Sequence, residues 1–439
     1  MCGGAEEECQ TRAVPCLDPI PDHGRHEMAS LPIPDKLLGE ILLQLPTPAD
    51  LARASAACVS FRRVAAHRSF LRRYRKLHAP PLLGFFERSK SFYPVTPPCP
   101  SASADSAAAL AADFSFSFLP APARDWRIQD IRDGRVLLYR FYHHGDVFPE
   151  LAVCDPLHWR YLLLPPITDD LAASVKDPLS METEKCTDIF LAPPGYDEEA
   201  AAADETSFRV ISMAQCKTTL AAFVFCSNNG EWRDVPSRWR SDLSACLPPL
   251  VVTSLFYLRH YVYGCFYWMI VDCEESKLLV LDVKVMEFSI AKPPPEADSC
   301  DVALVEAGEG RLGMFVLPDS GSDLSYFIRQ NDGGSSSQWQ KVKTISLRSP
   351  DHLICSMEKH LLLYKWQSSE AHGFTLDIDT FQLEKVCTLG SSVCVLRAYS
   401  NFPPSLLSSP TISSGVANRA EKEMLEQGCA ASSSAQSPR

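Results

Sequence analysis

The sequence predicts an α+β multidomain protein: a short helical region near the N-terminus is followed by a much longer all-β region. Two observations support this prediction. Apolar residues recur at helical spacing between residues 30 and 78. From residue 79 to residue 402, short apolar runs are separated by turn residues, and five stretches share one template. A chain of 439 residues is expected to contain more than one folded unit.

Composition is ordinary for a soluble globular protein, with 46% hydrophobic and 22% charged residues and a net charge of −12. The longest apolar run, Tyr261 to Val271, is too short to span a bilayer, so no membrane association is expected. The first 30 residues lack an apolar secretory segment, and none of the 17 cysteines forms a C-x-x-C pair. These features predict reduced thiols in an intracellular protein, cytoplasmic and/or nuclear, without a metal or cofactor.

The helical region is predicted to begin with a helix from Asp35 to Gln44, because Pro34 can start a helix but cannot continue one. Thr47 before Pro48 is a suitable N-cap, so a second helix is predicted to begin there. Five apolar residues of the first helix are predicted to share one face: Leu37, Leu38, Ile41, Leu42 and Leu45.

Two further apolar stripes follow along this region. The first comprises Ala57, Phe61 and Val64, and the second comprises Phe70, Leu71, Tyr74 and Leu77. So short a bundle can bury little of its own surface, so its apolar residues are expected to be shared with a partner chain. The alternative is that the stripes only form the core of a small helical domain.

The region resembles an F-box, the module that docks a protein on the Skp adaptor of Skp–cullin–F-box ubiquitin ligases. The matching positions are Leu31-Pro32, Leu37-Leu38, Ile41, Leu45-Pro46, Leu51, Cys58-Val59, Phe61-Arg62 and Phe70-Leu71. Many F-boxes have Trp where Phe61 stands. The resemblance implies a non-catalytic ligase subunit that binds the adaptor, through it a cullin, and a target protein that the sequence does not identify. It also implies these adaptor-binding residues: Leu31, Pro32, Leu37, Leu38, Ile41, Leu45, Leu51, Cys58 and Phe61.

The helical region is basic in an acidic chain. Residues 31 to 90 contain eleven Lys or Arg and four Asp or Glu, a net charge of +7. The cations near Phe70 and Tyr74 alternate with apolar residues, as on the solvated face of an amphipathic helix. A nucleic-acid surface would be broader, so no nucleic-acid partner is expected.

The β region is built from five related stretches, each containing two apolar strands, a polar turn and a further strand that starts near an aromatic or apolar residue. The residues that head these last strands are Trp159, Trp232, Phe288, Trp339 and Leu383. Their spacing suits a radially packed β-propeller, which buries both faces of each sheet. About six blades are predicted, and a pair of β-sandwiches is the alternative.

The repeats resemble the kelch-like or F-box-associated propellers that follow the F-box in plant families, although the double glycine of strict kelch repeats is absent. A sixth blade is predicted from Leu82 to Phe86, Phe114 to Leu119 and Val393 to Tyr399. Residues 1–29 and 403–439 are predicted to be disordered. Insertions into the propeller are predicted near residues 97–113 and 167–206.

Motifs for catalysis are weak, and no catalytic residue is predicted. Gly308 to Gly313 matches G-x-G-x-x-G, but a strand ending in Pro318 follows it, so a hairpin is predicted instead of a phosphate site. His143-His144 is predicted at a hairpin tip. Asp155, Asp282 and Asp377 are predicted to be turn residues. The alternative function is that of a propeller enzyme, or a sugar-binding propeller, with an unrelated helical N-terminus.

Overall fold

The computed structural model describes residues 33–401 with internal gaps. The gaps are residues 79, 96–112, 121, 141–146, 176–179, 182–183, 186, 194–206, 217–219, 236–258, 271–275, 298–300, 319–322, 331–337, 348–351, 358–359, 368–369 and 390–395. Several predicted features therefore lie outside the described residues: Leu31, Pro32, His143-His144, both predicted disordered termini, nearly all of the predicted insertion near 97–113 and half of that near 167–206.

Four helices form the N-terminal bundle. They are α1 (Asp35–Leu43), α2 (Pro48–Ala57), α3 (Val59–Ala65) and α4 (Arg68–Leu77). The Thr47 side chain accepts a hydrogen bond from the Asp50 amide at 3.1 Å, so the predicted cap of α2 is confirmed. Later in the chain there are a short 3-10 helix, Ala123–Asp125, and the single-turn helix α5, Asp169–Ala172.

The bundle has a core of its own. Its buried residues are Leu38, Leu42, Leu43, Leu51, Val64, Ala65, Phe70, Leu71 and Tyr74, all from the four helices. The last predicted stripe is wrong at one position, because Leu77 is 63% exposed at the end of α4. Leu77 is the last residue of α4. No further helical turn follows it to cover its side chain.

The β region contains 25 strands in the part of the chain that the structure describes. The first two are β1 (Leu82–Glu87) and β2 (Phe92–Pro94). The next sheet has β3 (Arg127–Arg132), β4 (Arg135–Arg140), β5 (Glu150–Asp155) and β6 (Arg160–Leu163). A small hairpin, β7 (Ser180–Met181) and β8 (Glu184–Lys185), follows. Another sheet has β9 (Thr187–Ala192), β10 (Arg209–Gln215), β11 (Leu220–Cys226) and β12 (Glu231–Asp234).

Three more four-stranded sheets complete the region. The first has β13 (Arg259–Val262), β14 (Cys265–Ile270), β15 (Lys277–Asp282) and β16 (Glu287–Ala291). The second has β17 (Val302–Glu306), β18 (Leu312–Val316), β19 (Asp323–Arg329) and β20 (Trp339–Ser346). The third has β21 (His352–Met357), β22 (His360–Gln367), β23 (Glu370–Asp377) and β24 (Leu383–Leu389), and the last strand is β25 (Leu396–Ser400).

The sheets are the blades of a six-bladed β-propeller, which confirms the predicted fold. Blades 1 to 5 are β3–β6, β9–β12, β13–β16, β17–β20 and β21–β24, each antiparallel in chain order. The innermost strands of neighbouring blades contact one another around the centre of the ring. These contacts run from β25 to β3 to β9, and from β13 to β17 to β21 to β25. Apolar clusters fill the spaces between successive blades. The structure is therefore a closed ring, and the β-sandwich alternative is wrong.

Blade 6 joins the two ends of the β region. Its order is β2-β1-β25, with Leu82 opposite Ser400 and Phe85 opposite Ala398. The prediction that Phe114–Leu119 forms a strand of this blade is wrong. This segment forms turns in which Asp113 accepts hydrogen bonds from the amides of Ser115 and Ser117. The phenylalanines of the segment instead pack in the apolar cluster between blade 6 and blade 1.

Blades 1 to 5 have four strands each. The predicted repeat template contained three of them and did not include the innermost strand as a separate element. The apolar run Tyr261 to Val271, for example, is not one strand. It contains a two-residue turn at Tyr263-Gly264 that separates β13 from β14, and both turn residues have positive φ, as a type I′ turn requires. Apolar content alone did not reveal this reversal of direction.

The propeller has two different faces. At one of them, called here the tight-turn face, two-residue turns join β3 to β4 and β13 to β14. Each first strand begins, and each second strand ends, at the opposite face, called here the loop face. The chain enters from the helical bundle at the tight-turn face, where the Asn401 amide donates to the Pro81 carbonyl at 3.2 Å.

Candidate functional site

Helix α1 has two different apolar faces. Leu38, Leu42 and Leu43 are at most 3% exposed and lie in the bundle core. Leu37 and Ile41, one helical turn apart, are 53% and 49% exposed. The prediction of a single stripe is therefore wrong, because five apolar positions cover a wider arc than α3 and α4 can bury. Two large aliphatic side chains are left facing solvent.

Gly39 explains why the core face is turned this way. A side chain at Gly39 would be in contact with Val64 of α3 and Phe70 of α4, so these two helices approach the α1 backbone closely on this side. The same packing buries Leu43, which the predicted stripe did not include. The position of the close helix contact therefore decides which leucines are internal.

The remaining predicted adaptor residues lie at different depths. Leu51 is completely buried, so it supports the bundle and cannot contact a partner directly in this conformation. Leu45, Cys58 and Phe61 are partly exposed, and Leu45 and Phe61 pack against the core from its edge. The structure thus brings Leu37 and Ile41 together on one surface, with Leu45 one turn beyond Ile41 in the sequence.

Cys58 separates α2 from α3 within the stripe predicted for Ala57, Phe61 and Val64. Its backbone is extended (φ −155°, ψ 162°), and its Sγ accepts a hydrogen bond from the Phe61 amide at 3.4 Å, so it caps α3. Ala57 is exposed as a result, and the predicted stripe through Ala57, Phe61 and Val64 is wrong at its first position. The thiol here serves as a cap of the backbone.

Ion pairs on the outside of the bundle connect α1 to the later helices. Arg63 contacts Asp35 at 2.7 Å and Arg73 contacts Glu40 at 2.9 Å, with all four side chains about half exposed or more. Exposed pairs of this kind contribute only up to about 1 kcal/mol each. They show that part of the basic charge is matched within the bundle itself.

A buried ion-pair network joins the first three blades of the propeller. The Arg259 side chain is only 7% exposed and contacts Asp130 of β3 at 2.6 Å and Asp188 of β9 at 2.7 Å. The Trp268 Nε1 also donates to Asp188 at 3.0 Å, and the Leu191 amide donates to Asp130 at 2.8 Å. Each carboxylate therefore has two kinds of donor, and the network holds three separate blades together.

Sequence reasoning did not single out Arg259, Asp130 or Asp188. Burial by itself would lower the pKa of Arg259, but the two carboxylates raise it above its ordinary value. The guanidinium also lies over the Phe190 ring at 4.3 Å from its centre. The available signal was a charged residue at the start of β9 and of β13 and one within β3, but nothing local showed that these residues pair across blades.

His260, the next residue of β13, is 4% exposed, and neither of its ring nitrogens has a hydrogen-bond partner among the residues that the structure describes. Burial, together with the charge of Arg259, lowers the pKa of His260 to about 4. The ring is therefore neutral at pH 7. An unpartnered buried ring is unfavourable in the folded state, because water would have satisfied both nitrogens.

We expect His260→Leu to reduce the acid sensitivity of the propeller. Because the unfolded histidine has a pKa of about 6.5, the unfolded state binds the proton first as the pH falls below that value. The wild-type protein should then lose about 2–3 kcal/mol more than the variant between pH 7 and pH 4.5. Urea unfolding at both pH values measures the difference. An equal loss of stability in the two proteins would contradict the prediction.

Two features with catalytic appearance are turns. Asp155, Asp282 and Asp377 each accept hydrogen bonds from the amides two and three residues later, as predicted. Gly308 and Gly310 lie in the turn between β17 and β18, with the Arg311 amide donating to the Gly308 carbonyl at 2.9 Å. A strand follows this turn, so the hairpin prediction is confirmed.

Neither a metal site nor a membrane-spanning helix is found within the described ranges. No group of three or more His, Cys, Asp or Glu residues there could hold a metal ion. None of the helices there has the length and apolar character needed to cross a bilayer. The described residues thus present an outward apolar pair, Leu37 and Ile41, on the bundle and a closed ring of blades.

Several solved structures resemble the propeller at low identity. TolB from Acinetobacter baumannii is 9% identical, with 61% of this chain and 54% of that chain covered and a TM-score of 0.33. A nidogen/laminin complex is 10% identical, with 64% of this chain and 87% of that chain covered and a TM-score of 0.31. A putative 6-phosphogluconolactonase from Bacteroides uniformis is 12% identical, with 58% of this chain and 67% of that chain covered and a TM-score of 0.32. The chain thus spans about half the length of TolB, and likeness this distant carries no functional inference.

No curated protein matches the sequence. Residues 127–391, however, match the family described as "F-box protein AT5G49610-like, beta-propeller". This match begins at the first residue of β3 and ends just after β24, so it covers blades 1 to 5 completely. It extends over more than half of the 439 residues. The chain therefore belongs to the F-box protein AT5G49610-like β-propeller family.

Proposed function

We propose that this protein is the substrate-recognition subunit of an Skp–cullin–F-box ubiquitin ligase. The helical bundle would dock on an Skp-type adaptor and through it on a cullin, while the propeller would bind a target protein. One observation carries the proposal: an F-box-family propeller is preceded by a helical bundle that leaves Leu37 and Ile41 of α1 exposed to solvent.

In this function the chain performs no chemistry itself. A receptor of this kind holds its target near the ubiquitin-transfer machinery and raises the effective concentration of the target there. Such a role requires two binding surfaces that keep their structures independently. The separate apolar cores of the bundle and of the propeller meet this requirement.

The position of the connection also supports the proposal. Because the bundle joins the propeller at the tight-turn face, the loop face lies at the other end of the strands, about 20 Å away for a six-residue strand. A target on the loop face and an adaptor on the bundle could then be held at the same time. Connecting loops on rigid scaffolds are also the usual place for binding residues.

Removal of residues 31–78 should abolish co-purification with a recombinant Skp-type adaptor and leave the propeller folded. The reason is that the deletion ends before Pro81 and β1, so blade 6 keeps all three of its described strands. Circular dichroism should show a β spectrum for the shortened protein. In a reconstituted ligase, ubiquitin transfer that depends on the receptor should also be lost.

Two results would contradict the proposal. One is adaptor binding by the shortened protein at the affinity of the full chain. The other is turnover of a small substrate by the purified full-length protein alone, which would favour the propeller-enzyme alternative.

A further inference from the structure

A cluster of basic residues lies on the loop face where blade 6 meets blade 1. The turn between β1 and β2 contributes Arg88 and Lys90, and the segment before and into β3 contributes Arg124 and Arg127. These four residues are called here the basic rim. The Ile128 amide donates to the Arg88 carbonyl at 3.1 Å, and so the two segments are held side by side.

The basic rim has an excess of positive charge. Residues 87–91 and 124–127 contain these four cations and two carboxylates, Glu87 and Asp125, which gives a net charge of +2 in a chain of −12. Arg124 is 88% exposed and lies 3.6 Å from Asp125. Arg127 is also exposed, and its Nη1 donates to the Arg124 carbonyl at 2.7 Å. The rim is thus locally opposite in sign to the protein as a whole.

Lys90 is held in this cluster in an unfavourable way. Its φ is +78°, a left-handed conformation that favours glycine, and its amide donates to the Glu87 carbonyl at 2.8 Å to close the turn. Burial lowers the pKa of Lys90, and the nearby positive charge of Arg127 lowers it further, against the opposing effect of Asp125. Other tight turns of the propeller, such as that at Tyr263, share this positive φ, so what distinguishes Lys90 is its place beside other cations.

We propose that the basic rim docks an acidic segment of the target protein, whose Asp and Glu side chains contact the cations. This inference rests on the proposed function, because it names the chemical class of the segment that the propeller recognises.

The spacing of the charges favours separate carboxylates as partners. The four cations are distributed over two segments and are interrupted by Glu87 and Asp125. A continuous polyanion such as nucleic acid would place its evenly spaced phosphates against these two carboxylates. An extended peptide with acidic residues at intervals can avoid them.

The test uses the full-length protein and a fluorescent twelve-residue peptide of alternating Glu and Ser, measured by anisotropy at low salt. The same peptide with Gln in place of Glu, a phosphoserine peptide and a single-stranded oligonucleotide serve as competitors. We expect the Glu peptide to bind at least tenfold more tightly than the Gln peptide, and its binding to weaken as salt screens the charges.

The double variant Lys90→Glu/Arg127→Glu should lower the affinity for the Glu peptide at least tenfold. The matched control is Lys385→Glu/Arg233→Glu, which makes the same change of charge at exposed positions of the outer strands β24 and β12. The control should leave the affinity within twofold of the wild type. A third variant, Lys90→Gly, should raise the melting temperature by relieving the left-handed strain and should still weaken binding.

Equal binding of the Glu peptide by the double variant and the control would overturn the inference, as would no binding by the wild-type protein. Tighter binding of the phosphoserine peptide or the oligonucleotide than of the Glu peptide would overturn it in favour of phosphate recognition. Co-purification with the adaptor should be unchanged in all three variants. A failure of the docking inference can therefore be told apart from a failure of the ligase proposal.

Discussion

The variant Arg259→Met should lose about 3–5 kcal/mol of the propeller's free energy of unfolding, the usual result of removing one partner from a buried ion pair. The substitution leaves the carboxylates of Asp130 and Asp188 in the interior without the guanidinium that contacts both. Trp268 and the Leu191 amide still donate to them, but two neutral donors do not replace a positive charge. A lower urea midpoint at an unchanged m-value would measure the loss.

Two further variants test this explanation. Lys341→Met removes a partner of Glu296, but both side chains of this pair are at least 40% exposed, so the change should cost no more than about 1 kcal/mol. Adding Asp188→Asn to Arg259→Met leaves the Asp130 carboxylate to balance the nearby cation of Arg397, and should recover much of the stability. The explanation is wrong if Arg259→Met costs under about 1 kcal/mol, or if the double variant is no more stable than the single one.

The double variant Leu37→Asp/Ile41→Asp should lose adaptor binding while its bundle stays folded. Fully burying one such side chain contributes about 1.5–3 kcal/mol. Both residues are about half exposed in the free protein, so together they have roughly 2–3 kcal/mol to gain at an interface. Introduced carboxylates would also have to be desolvated. The affinity for an Skp-type adaptor should therefore fall at least about thirtyfold, as measured by calorimetry on the purified proteins.

The matched control is Val342→Asp/Leu383→Asp, which changes two exposed apolar residues on the outer strands β20 and β24 of the propeller. It should bind the adaptor as the wild type does. Leu38→Ala would be a poor test, because Leu38 is 2% exposed and such a change costs about 2–5 kcal/mol of folding stability. Wild-type affinity in the Leu37→Asp/Ile41→Asp variant would show that this face of α1 is not an adaptor surface.

Much of the helical region followed from local sequence. Pro34 and the Thr47-Pro48 pair predicted where α1 and α2 begin, because capping depends on residues that are adjacent in the chain. The same local information could not decide between Leu37 and Leu38 as the buried residue of α1. That choice depends on where Val64 and Phe70 approach Gly39, about 25 and 31 residues away in the chain.

In the propeller, too, local sequence predicted part of the structure and packing decided the rest. Turn residues and apolar runs predicted the repeated blades, since each of blades 1 to 5 is a run of consecutive antiparallel strands. They did not predict which segment completes blade 6. Phe114–Leu119 is as apolar as a strand, yet Phe92–Pro94 takes the place beside β1 because a short turn connects them directly.

The sequence by itself determined the helical region, the six-bladed class of fold and the turn role of Asp155, Asp282 and Asp377, because these depend on residues close together in the chain. Only the tertiary structure decided that Arg259 joins Asp130 to Asp188, that Leu37 and Ile41 face outward and that the segments carrying Lys90 and Arg127 lie side by side. Each of these arrangements depends on how separate elements pack. Packing brings together residues whose separation in the sequence leaves no periodic or local signal.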